Sequence, residues 1–136
     1  MNHNEFNHFC RDLPATTHVV QWGNSDVWKV GGKVFAIGGS NKAGILGFTF
    51  KTSELNFEFL REREGFRPAP YLASRGFKWI QYYTTHDILN VDSETPRDLI
   101  LCKGDLSEEL NYYITESHRL VHQGLSKKKQ KELGLL

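Results

Sequence analysis

Cysteine is scarce in this chain, and no apolar run approaches the ~20 residues that a membrane span needs. Cys10 and Cys102 are isolated and form no Cys-x-x-Cys unit, so neither a zinc ribbon nor a redox dithiol motif is present. They are expected to be reduced, buried thiols of an intracellular protein, although two cysteines could pair. The opening Met1-Asn2-His3-Asn4-Glu5 lacks the basic-then-apolar pattern of a secretory signal. Acid is missing in a more telling way. Residues 27–53 and 65–86 contain no Asp or Glu, although the chain has 16 of them.

Those acid-free stretches hold Lys29, Lys33, Lys42, Lys51, Arg67, Arg75 and Lys78, together with Trp28, Phe35, Phe48, Phe50, Tyr71, Phe77, Trp79, Tyr82 and Tyr83. A formal net charge of +1 therefore hides a segregated pattern. Basic and aromatic strands, with the acids placed elsewhere, suit a polyanion better than they suit catalysis.

Phe6, Phe9, Cys10 and Leu13 repeat with helical spacing after Asn2 or Asn4, and Pro14 ends that helix. Strands are expected over 18–22, 27–30 and 33–37, the last two joined by a tight Gly31-Gly32 turn. A further strand follows over 45–51. A helix capped by Thr52 or Ser53 then runs towards Gly65, although Leu55, Phe57 and Phe59 also alternate like a strand. Pro68 and Pro70 keep 66–75 out of any central strand, whereas 77–83 can be one. A long helix capped by Ser107 carries Leu110, Tyr113, Ile114, Ser117, Leu120 and Val121 to Gly124. The tail over 126–136 is basic and reads as a solvated, mobile end. With so few crossover helices, the order implies one α+β domain of two layers. An antiparallel sheet of about five strands would have helices packed on one face and the other face partly free.

Val19-Val20-Gln21-Trp22, residues 28–36, and above all Arg67-Pro68-Ala69-Pro70-Tyr71-Leu72-Ala73-Ser74-Arg75-Gly76-Phe77-Lys78-Trp79-Ile80 resemble the MmcQ/YjbR family. Glu116-Ser117-His118-Arg119-Leu120-Val121 and the lysine-rich tail resemble it as well. The resemblance implies a CyaY-like or secretion-chaperone-like fold and DNA binding in a double-wing arrangement. Residues 84–104 look like an insertion relative to the family, expected to be an excursion that the core does not need.

The candidate nucleic-acid contacts are Lys29, Lys33, Lys42, Lys51, Arg67, Tyr71, Arg75 and Lys78. Arg67 and Arg75 could clamp phosphates around a stacking Tyr71; the alternative is a rigid turn whose two prolines need no arginine. Along 77–83, Phe77, Trp79 and Gln81 alternate with Lys78, Ile80 and Tyr82. A lysine-bearing face with occasional aromatics is what tracking a phosphate backbone requires, while edge strands also carry lysine merely to stay soluble. The glycine-rich 38–44 loop lacks the Gly-Lys-Ser/Thr ending of a phosphate-binding loop and reads as a hairpin tip, a wing presenting Lys42. His118 and His122 have metal-compatible spacing but no third ligand, and are expected on a solvated helix face; His3, His8, His18 and His86 show no cluster.

No catalytic constellation, cofactor or metal site is readable. The expectation is a small, cytoplasmic, non-enzymatic protein that binds DNA with weak specificity and does not engage membranes. Two alternatives stay open. One is a chaperone-like or protein-binding module that docks a partner or a second copy on the sheet face. The other is a small-molecule binder or enzyme with a pocket beside the proline-rich turn.

Overall fold

The computed structural model describes residues 1–40, 46–70, 76–83 and 106–136. Lys42, Tyr71, Arg75, Cys102 and the 84–104 segment lie outside the described residues. Helix α1 (His3–Asp12) starts where Asn2 completes a reciprocal cap. The Asn2 side chain accepts from the Glu5 N–H at 2.8 Å, and the Glu5 carboxylate accepts from the Asn2 N–H at 3.0 Å. Phe6 and Cys10, one turn apart, form its buried face, and burial pushes the Cys10 thiol well above its ordinary pKa.

Among the described residues, six strands follow: β1 (Thr16–Gln21), β2 (Ser25–Val30), β3 (Lys33–Ser40), β4 (Leu46–Lys51), β5 (Phe66–Pro68) and β6 (Trp79–Tyr83). Their spatial order is β1-β2-β3-β4-β6-β5, and every pair is antiparallel. The strand beyond the expected five is β5, three residues ending on Pro68. It sits at the sheet edge, the position where a proline is tolerated. Gly31 and Gly32, with φ of +59° and +81°, make the tight turn between β2 and β3.

Helix α2 (Glu54–Leu60) is capped by Ser53, whose hydroxyl accepts from the Asn56 N–H at 3.2 Å, and buries Phe57 and Leu60. That burial settles the helix–strand ambiguity of this segment. Helix α3 (Ser107–Gln123) departs from expectation at its start. Leu106 holds the cap position without a side-chain bond, and Ser107 lies inside the first turn. The turn is supported instead by Glu108 and Glu109 at the positive end of the helix dipole.

The basic tail is not a loose end. Ser126 caps a short helix, α4 (Lys127–Glu132), by accepting from the Lys129 N–H at 3.1 Å. The buried Gln130 donates to the Leu125 carbonyl at 2.8 Å. A Cβ at Gly31 would meet Leu125 at 2.5 Å and Leu133 at 3.2 Å, so the tail packs on the β2–β3 turn.

Strand alternation assigns the two faces of the sheet. Trp28, Val30, Ala36, Phe48, Phe50, Ile80, Tyr82 and Phe66 point to the core, where they join Phe6, Phe57, Leu60, Leu110, Ile114 and Val121 of the helices. Phe6 stacks on Phe48 at 4.6 Å, and Phe50 on Tyr113 at 5.9 Å. As expected from their apolar stripes, α1 and α3 therefore lie on one side of the sheet, with α2 beside them.

One irregularity joins the layers. Pairing steps from Trp28↔Ala36 to Lys29↔Val34, so Phe35 is an extra residue in β3. The freed Phe35 carbonyl accepts from the Ser117 hydroxyl at 2.6 Å, and the same hydroxyl accepts from the Lys51 N–H at 2.8 Å.

Candidate nucleic-acid interface

The face of the sheet turned away from the core is built by the other half of each alternation. Val19, Val27, Ile37, Thr49, Gln81 and Arg67 form one row across all six strands. Lys29, Lys51 and Trp79 flank it towards one end of the strands; Gly39, Gly47 and Tyr83 flank it towards the other. Asp26 is the one acid on the described strands, and it points to the opposite side. Among the described residues, the far face thus gathers Lys29, Lys51 and Arg67 with Trp79 and Tyr83, with no strand carboxylate on it. Val27 and Thr49 of that row are buried.

Arg67 is held in place. Its Nε donates to the Gln81 side chain at 2.8 Å, and its guanidinium lies 5.1 Å from the centroid of the Tyr83 ring. The Gln81 amide in turn lies over Gly47, where a Cβ would meet its nitrogen at 3.1 Å. A guanidinium fixed by a hydrogen bond and a ring loses less freedom on meeting an anion than a lysine free in solvent.

The remaining candidates fall elsewhere. Lys78 belongs to the alternation set of Ile80 and Tyr82, which is the core side; its ammonium lies 4.8 Å from the centroid of Phe57 in α2. The lysine-bearing face expected from Lys78, Ile80 and Tyr82 is therefore the buried one, and the outward set is Trp79, Gln81 and Tyr83. Lys33 sits at the β2–β3 turn opposite Val30, apart from the Lys29–Lys51 group. Charge segregation alone does not say that Trp79, Gln81 and Tyr83 share the outward face. The signal that finds them is the phase of β6, set by which of its residues the helices cover.

The histidines also depart from expectation. His3 and His18 each place Nε2 at 2.6 Å from a different oxygen of Asp26. Asn7 donates to Asp26 at 3.1 Å and accepts from the Trp28 indole at 3.0 Å. Burial pushes the Asp26 carboxyl up, but hydrogen bonds from His18 and Asn7 and the charges of His3 and His18 outweigh it and hold the group below its ordinary value. These hydrogen bonds and the His3–Asp26 ion-pair contact clasp α1 to β1 and β2. Among the described residues, no group of three His, Cys, Asp or Glu is arranged to hold a metal.

His118 is only 4% exposed, not on a solvated helix face. Its Nε2 lies 2.8 Å from the Pro14 carbonyl, and its ring meets Phe35 edge-on at 5.1 Å. Burial lowers its pKa, with the Pro14 carbonyl opposing and His122 adding to the shift. Above the unfolded value of about 6.5, neither state is charged. Below it, the unfolded chain takes a proton that the folded chain resists, so stability falls as pH drops. Urea midpoints are expected to be lower at pH ~5.5 than at pH ~7.5, and His118→Gln is expected to flatten that difference. An unchanged pH dependence in the variant would remove His118 as its source.

Two open grooves lined by described residues lie on the helix side. One of about 430 Å³ is lined by Phe59, Arg63, Glu108, Glu109, Tyr112 and Tyr113. The other, of about 500 Å³, lies between α1 and the start of α3. No described helix is long and apolar enough to cross a membrane.

Residues 11–120 match a family model described as YjbR. No curated protein matches the chain.

Proposed function

The chain belongs to the YjbR family, and from that premise we propose that it is a non-enzymatic nucleic-acid-associated protein that meets phosphates with the sheet face turned away from α1 and α3. One observation carries the reading: Lys29, Lys51 and Arg67, far apart in sequence, share an acid-free strand face with Trp79 and Tyr83. DNA is the partner that the family resemblance implies, and a cytoplasmic setting goes with it. Specificity is weak in this reading, because no described helix is offered to a groove and the contacts are to phosphates, which carry no sequence information.

The test compares two variants with equal reductions in charge. Lys29→Gln with Lys51→Gln removes two cations from the face; Lys33→Gln with Lys78→Gln removes two from outside it. Removing one lysine–phosphate pair is expected to shrink the slope of log affinity against log salt by about 0.7 to 0.9. Fluorescence anisotropy on labelled DNA should therefore show a slope reduced by about 1.5 in the first pair and little changed in the second. No binding at about 50 mM salt, or equal effects from the two pairs, would overturn the reading.

A second reading rests on the helix side. Leu55, Phe59 and Tyr112 are exposed there, with Phe59 and Tyr112 lining the groove between α2 and α3. An apolar cluster of that kind suits a protein partner, whose binding would tolerate salt.

A further inference from the structure

The shape of the basic face selects among nucleic acids. Resting on the phosphate-binding reading above, we infer that its ligand is single-stranded, with phosphates on Lys29, Lys51 and Arg67 and unpaired bases stacked on Trp79 and on the Arg67–Tyr83 pair.

Size bears on the choice first. Six strands spaced about 4.8 Å apart make a face roughly 24 Å broad. A major groove about 12 Å wide admits a helix or a two-stranded ribbon, so this face cannot enter it. Against a duplex it would touch only the outer backbone, leaving Trp79 and Tyr83 without a base to meet.

Charge and ring are also paired across neighbouring strands. By register, Lys51 lies beside Trp79, while Arg67 lies over Tyr83 and is fixed by Gln81. Each is a cation next to a flat π surface, the combination that holds a strand by its backbone and by stacking at once. Lys29 and Lys51 stand two strands apart, about 10 Å, so one chain laid across the strands passes the cations in turn.

Val27 and Thr49 are buried between these groups, and Gly39 and Gly47 keep the Tyr83 end of the face low.

Anisotropy is measured with labelled oligothymidylate, oligouridylate and a mixed-sequence duplex, each about 20 units long, at one low salt concentration. At least tenfold tighter binding of the single strands than of the duplex is expected. Comparison of the two single strands separates DNA from RNA as the source, because only RNA offers the 2′-hydroxyl. Trp79→Leu is expected to weaken single-strand binding by roughly 5- to 150-fold, the worth of one stacked base, and to change duplex binding less than twofold. Quenching of Trp79 fluorescence, read as the difference between the wild type and a Trp79→Phe variant, gives a second measure that does not depend on removing an aromatic ring. Duplex binding as tight as single-strand binding overturns this inference and leaves the phosphate reading standing. Absence of binding to all three overturns both.

Discussion

Phe48→Ala is expected to destabilise the fold by about 3–5 kcal/mol, a large share of what a domain of this size has. Phe48 is fully buried at the centre of β4, stacked on Phe6 at 4.6 Å and facing Tyr82 at 6.4 Å. Removing its ring leaves a cavity between α1 and the sheet. The Asn2 cap and the His3–Asp26–His18 clasp hold α1 in place, so the space cannot simply collapse. Gly38→Val tests the same packing from the other side. A Cβ at residue 38 would stand 2.5 Å from the Phe6 ring, so any side chain there must lift α1 from the sheet. Both variants should lower the urea midpoint. A Phe48→Ala effect below about 1 kcal/mol would mean that the site collapses freely, and that the Phe6–Phe48 stack is not what joins the layers.

The two-layer architecture is legible in the sequence because its elements carry strong local signals. The apolar periods of α1 and α3 and the Gly31-Gly32 pair are such signals, while the cap of α1 is open in the sequence between Asn2 and Asn4. Two kinds of feature are not legible. One is strand phase: Phe77, Lys78 and Trp79 alternate correctly, but alternation alone does not say which set the helices cover. Composition therefore names Lys78, Trp79 and Tyr83 together without saying that Lys78 falls on the opposite side from the other two. The other is the meeting of distant polar groups. His3, His18 and Asp26 belong to three elements, and no spacing rule joins them. His118 has the spacing of an exposed pair with His122, and only the bulge at Phe35 and the turn at Pro14 close over it. In the tail, composition misleads: four lysines suggest a loose end, whereas Ser126, Gln130 and Leu133 build a docked turn of helix.

Ser117→Ala is expected to cost about 2–5 kcal/mol, far more than deleting a hydroxyl on a surface helix. Regular pairing of β3 with β4 stops at Ala36↔Phe50, because the extra residue at Phe35 breaks the ladder. The break leaves a carbonyl at Phe35 and an N–H at Lys51 under α3, where water has no access. The Ser117 hydroxyl satisfies both, donating at 2.6 Å and accepting at 2.8 Å. Alanine strands both groups, and each buried orphan costs about 1–3 kcal/mol. Cysteine, a weaker donor of similar shape, should fall between serine and alanine. Hydrogen exchange sharpens the test: the Lys51 amide should be protected in the wild type and lose protection in Ser117→Ala before the β2–β3 pairs do. The consequence reaches the other face of the sheet, since the Lys51 backbone that Ser117 anchors also carries the ammonium proposed to meet phosphate. A Ser117→Ala protein still folded at low temperature should therefore bind single strands more weakly than wild type. Unchanged Lys51 protection and unchanged binding would show that the bulge is satisfied without the helix.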